Sequence, residues 1–222
     1  MHAAVILTNT ATPEIHAMTQ RAVDLLRRQK NQRVGVVVVE SNTIISEYIG
    51  AHVIKYDGID FNYNRAMKQG VKEAMRLHPS AHYIMMCNND IEPAPDCVEQ
   101  LMWQNVDSCS PKDPSLKLHA EYSGVVFGYR TSYVLCGWFL AIKQHVIKQI
   151  GVDLLLPDEL AFWYQDNWIA DVLKHHGINH ALVTGAHCIH LESKSWDLVK
   201  NVEAMTNGQK IFYERLKQRY GI

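Results

Sequence analysis

The stretch YIMMCNND, residues 83–90, decides the fold. An apolar run stops at Asn88, Asn89 and Asp90, three polar side chains with one negative charge. A strand that reads as buried can end this way for two reasons. One is a plain turn. The other is a metal site at the mouth of a nucleotide-binding sheet.

Working outward, three more apolar runs precede this one. AAVILTNT, from Ala3, is a short buried strand ending in Thr8, Asn9 and Thr10. RVGVVVVE, ending at Glu40, is a β-branched run without alternation, which suits a sheet covered on both faces. HVIKYD, ending at Asp57, is a third strand. Between them lie helical patterns. Thr12 can cap the first, Pro13 suits its first position, and Ile15, Met18, Ala22 and Leu26 line one face. FNYNRAMKQGVKEAMRLH carries a Met67, Val71, Ala74, Met75 stripe, and PAPDCVEQLMW groups Val98, Leu101 and Met102. This alternation predicts an α/β domain with a mostly parallel sheet and helices on both faces. Further on, Gly124, Gly128 and Gly137 break short strands, and QHVIKQIG is a helical turn. LPDELAFWYQDNWIADVLKHHG is read as one helix, NHALVTGAHCIHLE as a last strand, and the tail from Trp196 to Ile222 as helix.

The chain has 222 residues, 47% of them hydrophobic, enough for one sizeable core. A net charge of −1 gives no global field toward nucleic acid or an anionic membrane. Five cysteines, an odd number with no C-x-x-C pair, suit a reducing compartment. The N-terminus lacks a signal-peptide pattern, and no window approaches the roughly 18 apolar residues of a bilayer span. These features lead to the expectation of a soluble protein of a bacterial or phage-infected host cytoplasm.

In an open α/β sheet, ligands bind beyond the carboxyl ends of the strands. Here those ends are Thr8–Asn9, Glu40, Asp57 and Asn88–Asp90. The chain has no G-x-x-x-x-G-K-[ST], no G-x-G-x-x-G after the first strand and no G-x-S-x-G, which disfavours P-loop, dinucleotide and α/β-hydrolase readings. A phosphate ligand would then need a metal ion in place of a glycine-rich cradle. His175, His176, His180, His187 and His190 crowd together and suggest zinc, but His187 and His190, three apart on a strand, face opposite sides.

Five segments in order resemble the GT-A fold of nucleotide-sugar-dependent glycosyltransferases, the family 2-like group in particular. CNND stands where that family has its D-x-D motif. FNYNRAMKQG is similar to its F-N-R-A helix start, and GWFLAIKQHVIKQIG to its acceptor-side segment. YQDNWIADVLKHHGI is similar to its E-D-x-D-L…R-x-x-x-x-G segment, and AHCIHLESKSW to the strand ending in a metal-binding histidine. The chain departs from the pattern at Asn88 for the first Asp, Gln165 for the Glu of E-D, and Trp168 and Val172 for the later Asp and Arg.

The resemblance implies a single GT-A catalytic domain over 1–222. Its nucleotide-binding half spans 1–106, its acceptor-side half 107–196 and its C-terminal helix 197–222. It implies a metal-dependent, inverting transfer of sugar from a nucleoside-diphosphate donor, UDP-linked, to a hydroxyl acceptor. Asp90 and His190 would hold Mn²⁺ or Mg²⁺, and Asp166 would be the base. With one carboxylate and one imidazole, the ion should bind weakly until the donor's diphosphate completes the site. Asp166 lies near a helix N-terminus, which is expected to keep its pKa low. Thr8, Asn9, Glu40, Asp57, Asn62, Arg65, Asn88 and Asn89 are the expected nucleotide contacts. Trp138 and Trp168, with Phe139, Trp163 and Tyr164, form an expected aromatic wall on the acceptor side.

The acceptor stays open between a glycan and a hydroxylated cytosine in phage DNA. RRQKNQR and ERLKQR offer phosphate contacts or solvated helix faces. A non-catalytic nucleotide-sugar-binding domain is an alternative, favoured by Asn88, Gln165 and Trp168 in place of acids. A sugar nucleotidyltransferase is another, disfavoured because no Gly-rich, Arg-containing loop follows the first strand.

Overall fold

The computed structural model describes residues 1–44, 46–161, 164–191 and 202–222, the side chains of 202–208 excepted. Trp163 and the start of the expected C-terminal helix lie outside the described residues.

Strands β1 (His2–Thr8), β2 (Val34–Glu40), β3 (His52–Lys55) and β4 (Tyr83–Asn88) are all parallel, in the order β3-β2-β1-β4. β1 is buried along its whole length, as a two-sided apolar run requires. Its side chains alternate between two cores. Ala3, Val5 and Leu7 meet Met67, Val71 and Ala74 of α2 (Tyr63–Leu77). Ala4 and Ile6 meet Ala22, Val23 and Leu26 of α1 (Pro13–Arg27). Thr12 caps α1 with Pro13 behind it, as the sequence predicts. α2 approaches the sheet so closely that a Cβ on Gly70 would lie 2.3 Å from Val5 Cγ1.

Beyond β4 the sheet becomes mixed. β8 (Phe139–Lys143) runs antiparallel to β4 and to β6 (Ser108–Lys112). β9 (His180–His190) is parallel to β6 and carries β7 (Val125–Phe127) and β5 (Ile91–Pro93) as antiparallel partners. β5 and β6 were not expected. Both are short, and IEP and SCSPK carry prolines that mask a strand pattern. α3 (Cys97–Trp103) packs with α1, while α4 (Gln144–Ile150), α5 (Val152–Leu155), α6 (Gln165–His175) and α7 (Val202–Tyr220) gather on the α2 face. The helix expected from Leu156 begins only at Gln165. Residues 157–161 are turn, and Tyr164 at its N-cap adopts φ 63°. No helix among the described residues is long and apolar enough to cross a membrane.

Candidate active site

The register of β5 against β9 builds the centre of the site. Ile91 pairs with His190, and Leu191 N donates to Asp90 O at 2.9 Å. This brings the side chains of Asp90 and His190 together from a hundred residues apart, with Nε2 3.3 Å from Oδ1. Asp90 is only 1% exposed, and neither of its oxygens has a hydrogen-bond partner. A buried carboxylate without partners is costly. A divalent cation is the partner that an oxygen pair and a nearby imidazole fit. Among the described residues no third His, Cys, Asp or Glu joins them, so these residues offer two candidate ligands. The other histidines are dispersed. His180 is buried between Ser108 Oγ and Val134 O, and His187 is exposed on the opposite face from His190.

β8 supplies the next wall. Cys87 pairs with Phe139, and Asn88 N donates to Trp138 O at 2.9 Å. Trp138 stacks on His190 with centroids 5.2 Å apart and planes 8° from parallel. Asn88 contacts Tyr63 and His190 through its side chain.

Asp166 lies in the first turn of α6. A Cβ on Gly137 would sit 3.2 Å from Asp166 Cβ, so the residue before Trp138 must be small for the carboxylate to pack there. Asp166 keeps some contact with solvent, but the protein crowds its carboxyl. Burial pushes its pKa up, against the backbone N–H groups of Asp166 and Asn167 that favour the anion. The expected low pKa is therefore overturned: the helix N-terminus acts in the predicted sense and is outweighed by desolvation. Asp166 and Asp90 both act on the Tyr63 phenol, whose pKa is raised by burial first, then by Cys87 and these two carboxylates.

Several expected nucleotide contacts prove to be occupied by the fold. Glu40 is fully buried. Its oxygens accept from Thr10 N and Oγ1, from Asn42 N and from the Tyr48 hydroxyl, so it ties the loop after β1 to its own. Thr8 Oγ1 is shared with Thr19 and Asn89. Asn89 Nδ2 bonds Thr8 and Thr19. Asn62 caps α2 through Arg65 N at 2.9 Å and donates to Asp158 O at 2.6 Å. Asp57 and Arg65 form an exposed pair at 3.2 Å, and Asn9 is exposed. Trp168 is not on the acceptor side. It is 0% exposed, within the α2-face core, and its indole N–H donates to Leu154 O at 2.7 Å.

Two groups were missed. Tyr63 hides inside the F-N-Y-N-R helix start, where the aromatic reads as core. Asp113 is 0% exposed and holds His190 N at 3.0 Å with Oδ2, while Oδ1 accepts from Ser115 N and Oγ. Its signal was the turn-forming D-P-S at 113–115, a cue to an Asx turn but not to its contact with β9.

No protein-family model matches the sequence, and no curated protein matches it. Solved structures do. The Staphylococcus aureus TarS 1–349 structure matches with TM-score 0.61 and 12% identity, over 84% of this chain and 60% of that one. The mannosyltransferase PcManGT from Pyrobaculum calidifontis, solved with GDP-Man and Mn²⁺, gives TM-score 0.60 and 14% identity, over 86% and 57%. A Drosophila β1,4-galactosyltransferase 7 variant, solved with manganese, UDP-Gal and xylobiose, gives TM-score 0.57 and 14% identity, over 96% and 79%. The chain thus spans about three-fifths of the first two. Parallel strands ending in Asn88–Asp90, the antiparallel β8 and the return of β9 to Asp90, together with these likenesses, give the chain the GT-A fold.

Proposed function

We propose that the chain is a metal-dependent glycosyltransferase. It moves a sugar from a nucleoside diphosphate, UDP-linked, to a carbohydrate hydroxyl with inversion. The observation that carries this is Asp90: a buried carboxylate with no hydrogen-bond partner, beside the imidazole of His190, at the carboxyl end of a parallel strand. The structures of similar fold with Mn²⁺ and GDP-Man or UDP-Gal support it. Asp90 and His190 would hold Mn²⁺ or Mg²⁺. When bound, the ion supplies positive charge against the diphosphate as that group leaves.

Asp166 takes the proton of the acceptor hydroxyl as its oxygen bonds to the anomeric carbon. The bond from that carbon to the diphosphate oxygen breaks, and its electron pair leaves with the phosphate. Burial raises the Asp166 pKa, which makes its carboxylate a stronger base than a solvated aspartate. Trp138, stacked on His190 beside Gly137, offers an apolar face to a sugar ring. Asn9, Asp57 and Arg65 are the exposed polar groups left to meet the nucleotide.

A carbohydrate acceptor is favoured over DNA by the net charge of −1 and by the carboxylates that partly neutralise the two basic segments, Asp24 on Arg28, Asp171 on Lys217 and Glu159 on Arg219. Asp166→Asn tests the assignment. Transfer should fall by about 10²- to 10⁴-fold, with UDP binding in Mn²⁺ unchanged. Transfer at the wild-type rate would remove Asp166 as the base.

A further inference from the structure

β9 reaches His190 with one edge unfinished. Along a strand, successive N–H groups point to opposite edges. Leu191 N turns to the β5 side and donates to Asp90 O, so His190 N turns to the β6 side. β6 cannot meet it. The two strands pair in even register from Ser108 with His180 to Pro111 with Val183. The register then shifts, and β6 ends at Lys112, opposite His187. The next residue, Asp113, brings a side chain where the strand stops. Its Oδ2 accepts from His190 N at 3.0 Å, while Oδ1 accepts from Ser115 N at 2.8 Å and Ser115 Oγ at 2.6 Å. A fully buried carboxylate is costly unless several donors meet it, and here three do. The main chain of Asp113 is held in turn, since its N–H donates to His119 Nδ1 at 2.9 Å. A backbone N–H can only donate, so Nδ1 is the acceptor. His119 is fully buried as well, and its Nε2 lies 3.6 Å from Sγ of Cys136, the residue before the glycine that packs on Asp166.

We propose that Asp113 and His119 are positioning residues for His190. The carboxylate fixes the backbone of the candidate metal ligand, and the imidazole fixes the carboxylate's own turn. The proposal rests on the metal-dependent reading above. It explains why a charge is buried where a strand gives out: His190 is gripped on one edge by β5 and on the other by Asp113. Trp138 holds the plane of the imidazole, and Asp113 holds the main chain from which that ring projects. With only two candidate ligands among the described residues, a shift of one is not absorbed by others. Groups that orient a metal-bound histidine from outside the ligand set commonly matter about 10- to 100-fold in metal affinity.

The test uses the full chain and two readouts. Hydrogen exchange at the His190 amide is followed by NMR, and Mn²⁺ is titrated in the presence of UDP. In the wild type the His190 amide should be protected like the amides of the β6–β9 ladder. Asp113→Ala should release it and weaken Mn²⁺ about 10- to 100-fold, while UDP binding without metal stays at the wild-type level. His119→Leu should shift both readouts in the same direction. His119→Asn, whose side-chain oxygen can stand in for Nδ1 as acceptor, should restore them, a rescue that loss of packing would not give. A freely exchanging His190 amide in the wild type would overturn the proposal, whether or not the variants fold. So would wild-type Mn²⁺ affinity in Asp113→Ala, or His119→Asn behaving no better than His119→Leu. A wild-type chain with a protected His190 amide but no Mn²⁺ binding would overturn the metal reading instead, and the exchange readout separates the two failures.

Discussion

Asp166 sits where its surroundings oppose its own charge, and that fixes a sign. A carboxyl whose pKa is raised on folding adds stability only in its protonated form. The contribution is complete below the unfolded-state value and is lost as pH rises through the folded-state one. Once ionised, the group therefore costs the fold stability. Asp166→Asn should unfold at the same or a higher temperature than wild type near pH 7, and this advantage should vanish in acid. Thermal melts at both pH values check it, and a variant clearly less stable at pH 7 would mean the carboxylate is a structural acceptor. Asp90, His190 and Asp166 stood out in the sequence through the resemblance, at the positions of its D-x-D, histidine and E-D segments, and the structure adds that the first two side chains meet. Glu40, Thr8, Asn62 and Asn89 looked the same there. What separates them is whether their lone pairs are filled, and partners such as Thr10 for Glu40 or Asp158 for Asn62 are set by the tertiary fold.

Among the elements, α7 has the clearest consequence for the site. Tyr213 stacks on Tyr164 with centroids 5.2 Å apart, and its hydroxyl bonds Asp171 of α6. Ala161 N donates to Gln209 Oε1 at 2.7 Å, while Ala161 O receives Tyr63 N at 2.7 Å. Tyr164 holds φ 63°, an uncommon conformation for a residue with a side chain, two positions before Asp166. α7 thus fastens the turn that precedes Asp166, the proposed base. Tyr213→Ala should lower kcat by roughly an order of magnitude, since a small misplacement of a reacting group is costly, while the Kd for UDP with Mn²⁺ stays near wild type. Steady-state kinetics and calorimetry read the two separately, and equal losses in both would point to general loosening. Trp168 teaches the complementary lesson. Its place among the aromatics flanking the acceptor-side segments suggested stacking on a sugar, but helical spacing turns it from Asp166 into the core. Trp168→Ala should cost about 3–5 kcal/mol in chemical denaturation, the range for a large buried side chain. The strands of the first half were legible because β-branched runs leave little choice. β5 was not, because its three residues gain strand character only from β9.

Across the whole molecule, the parallel half and the mixed half meet at the Asp90–His190 pair, one side chain from just beyond β4 and the other from the end of β9. On the proposed reading these two side chains would not fill the coordination of Mn²⁺ or Mg²⁺, and most positions would fall to water and to a ligand's phosphates. Metal and nucleotide should then bind as one linked event. The factor by which UDP raises Mn²⁺ affinity must equal the factor by which Mn²⁺ raises UDP affinity. Calorimetric titration in both orders measures it twice, and the two values must agree. Thermal shift gives the same coupling through stability. At about 100 times its Kd a ligand adds about 2.7 kcal/mol, so UDP and Mn²⁺ together should raise the melting temperature more than the sum of their separate shifts. A purely additive response would mean that the nucleotide does not reach Asp90, and that the orphaned carboxylate serves something other than the donor's diphosphate.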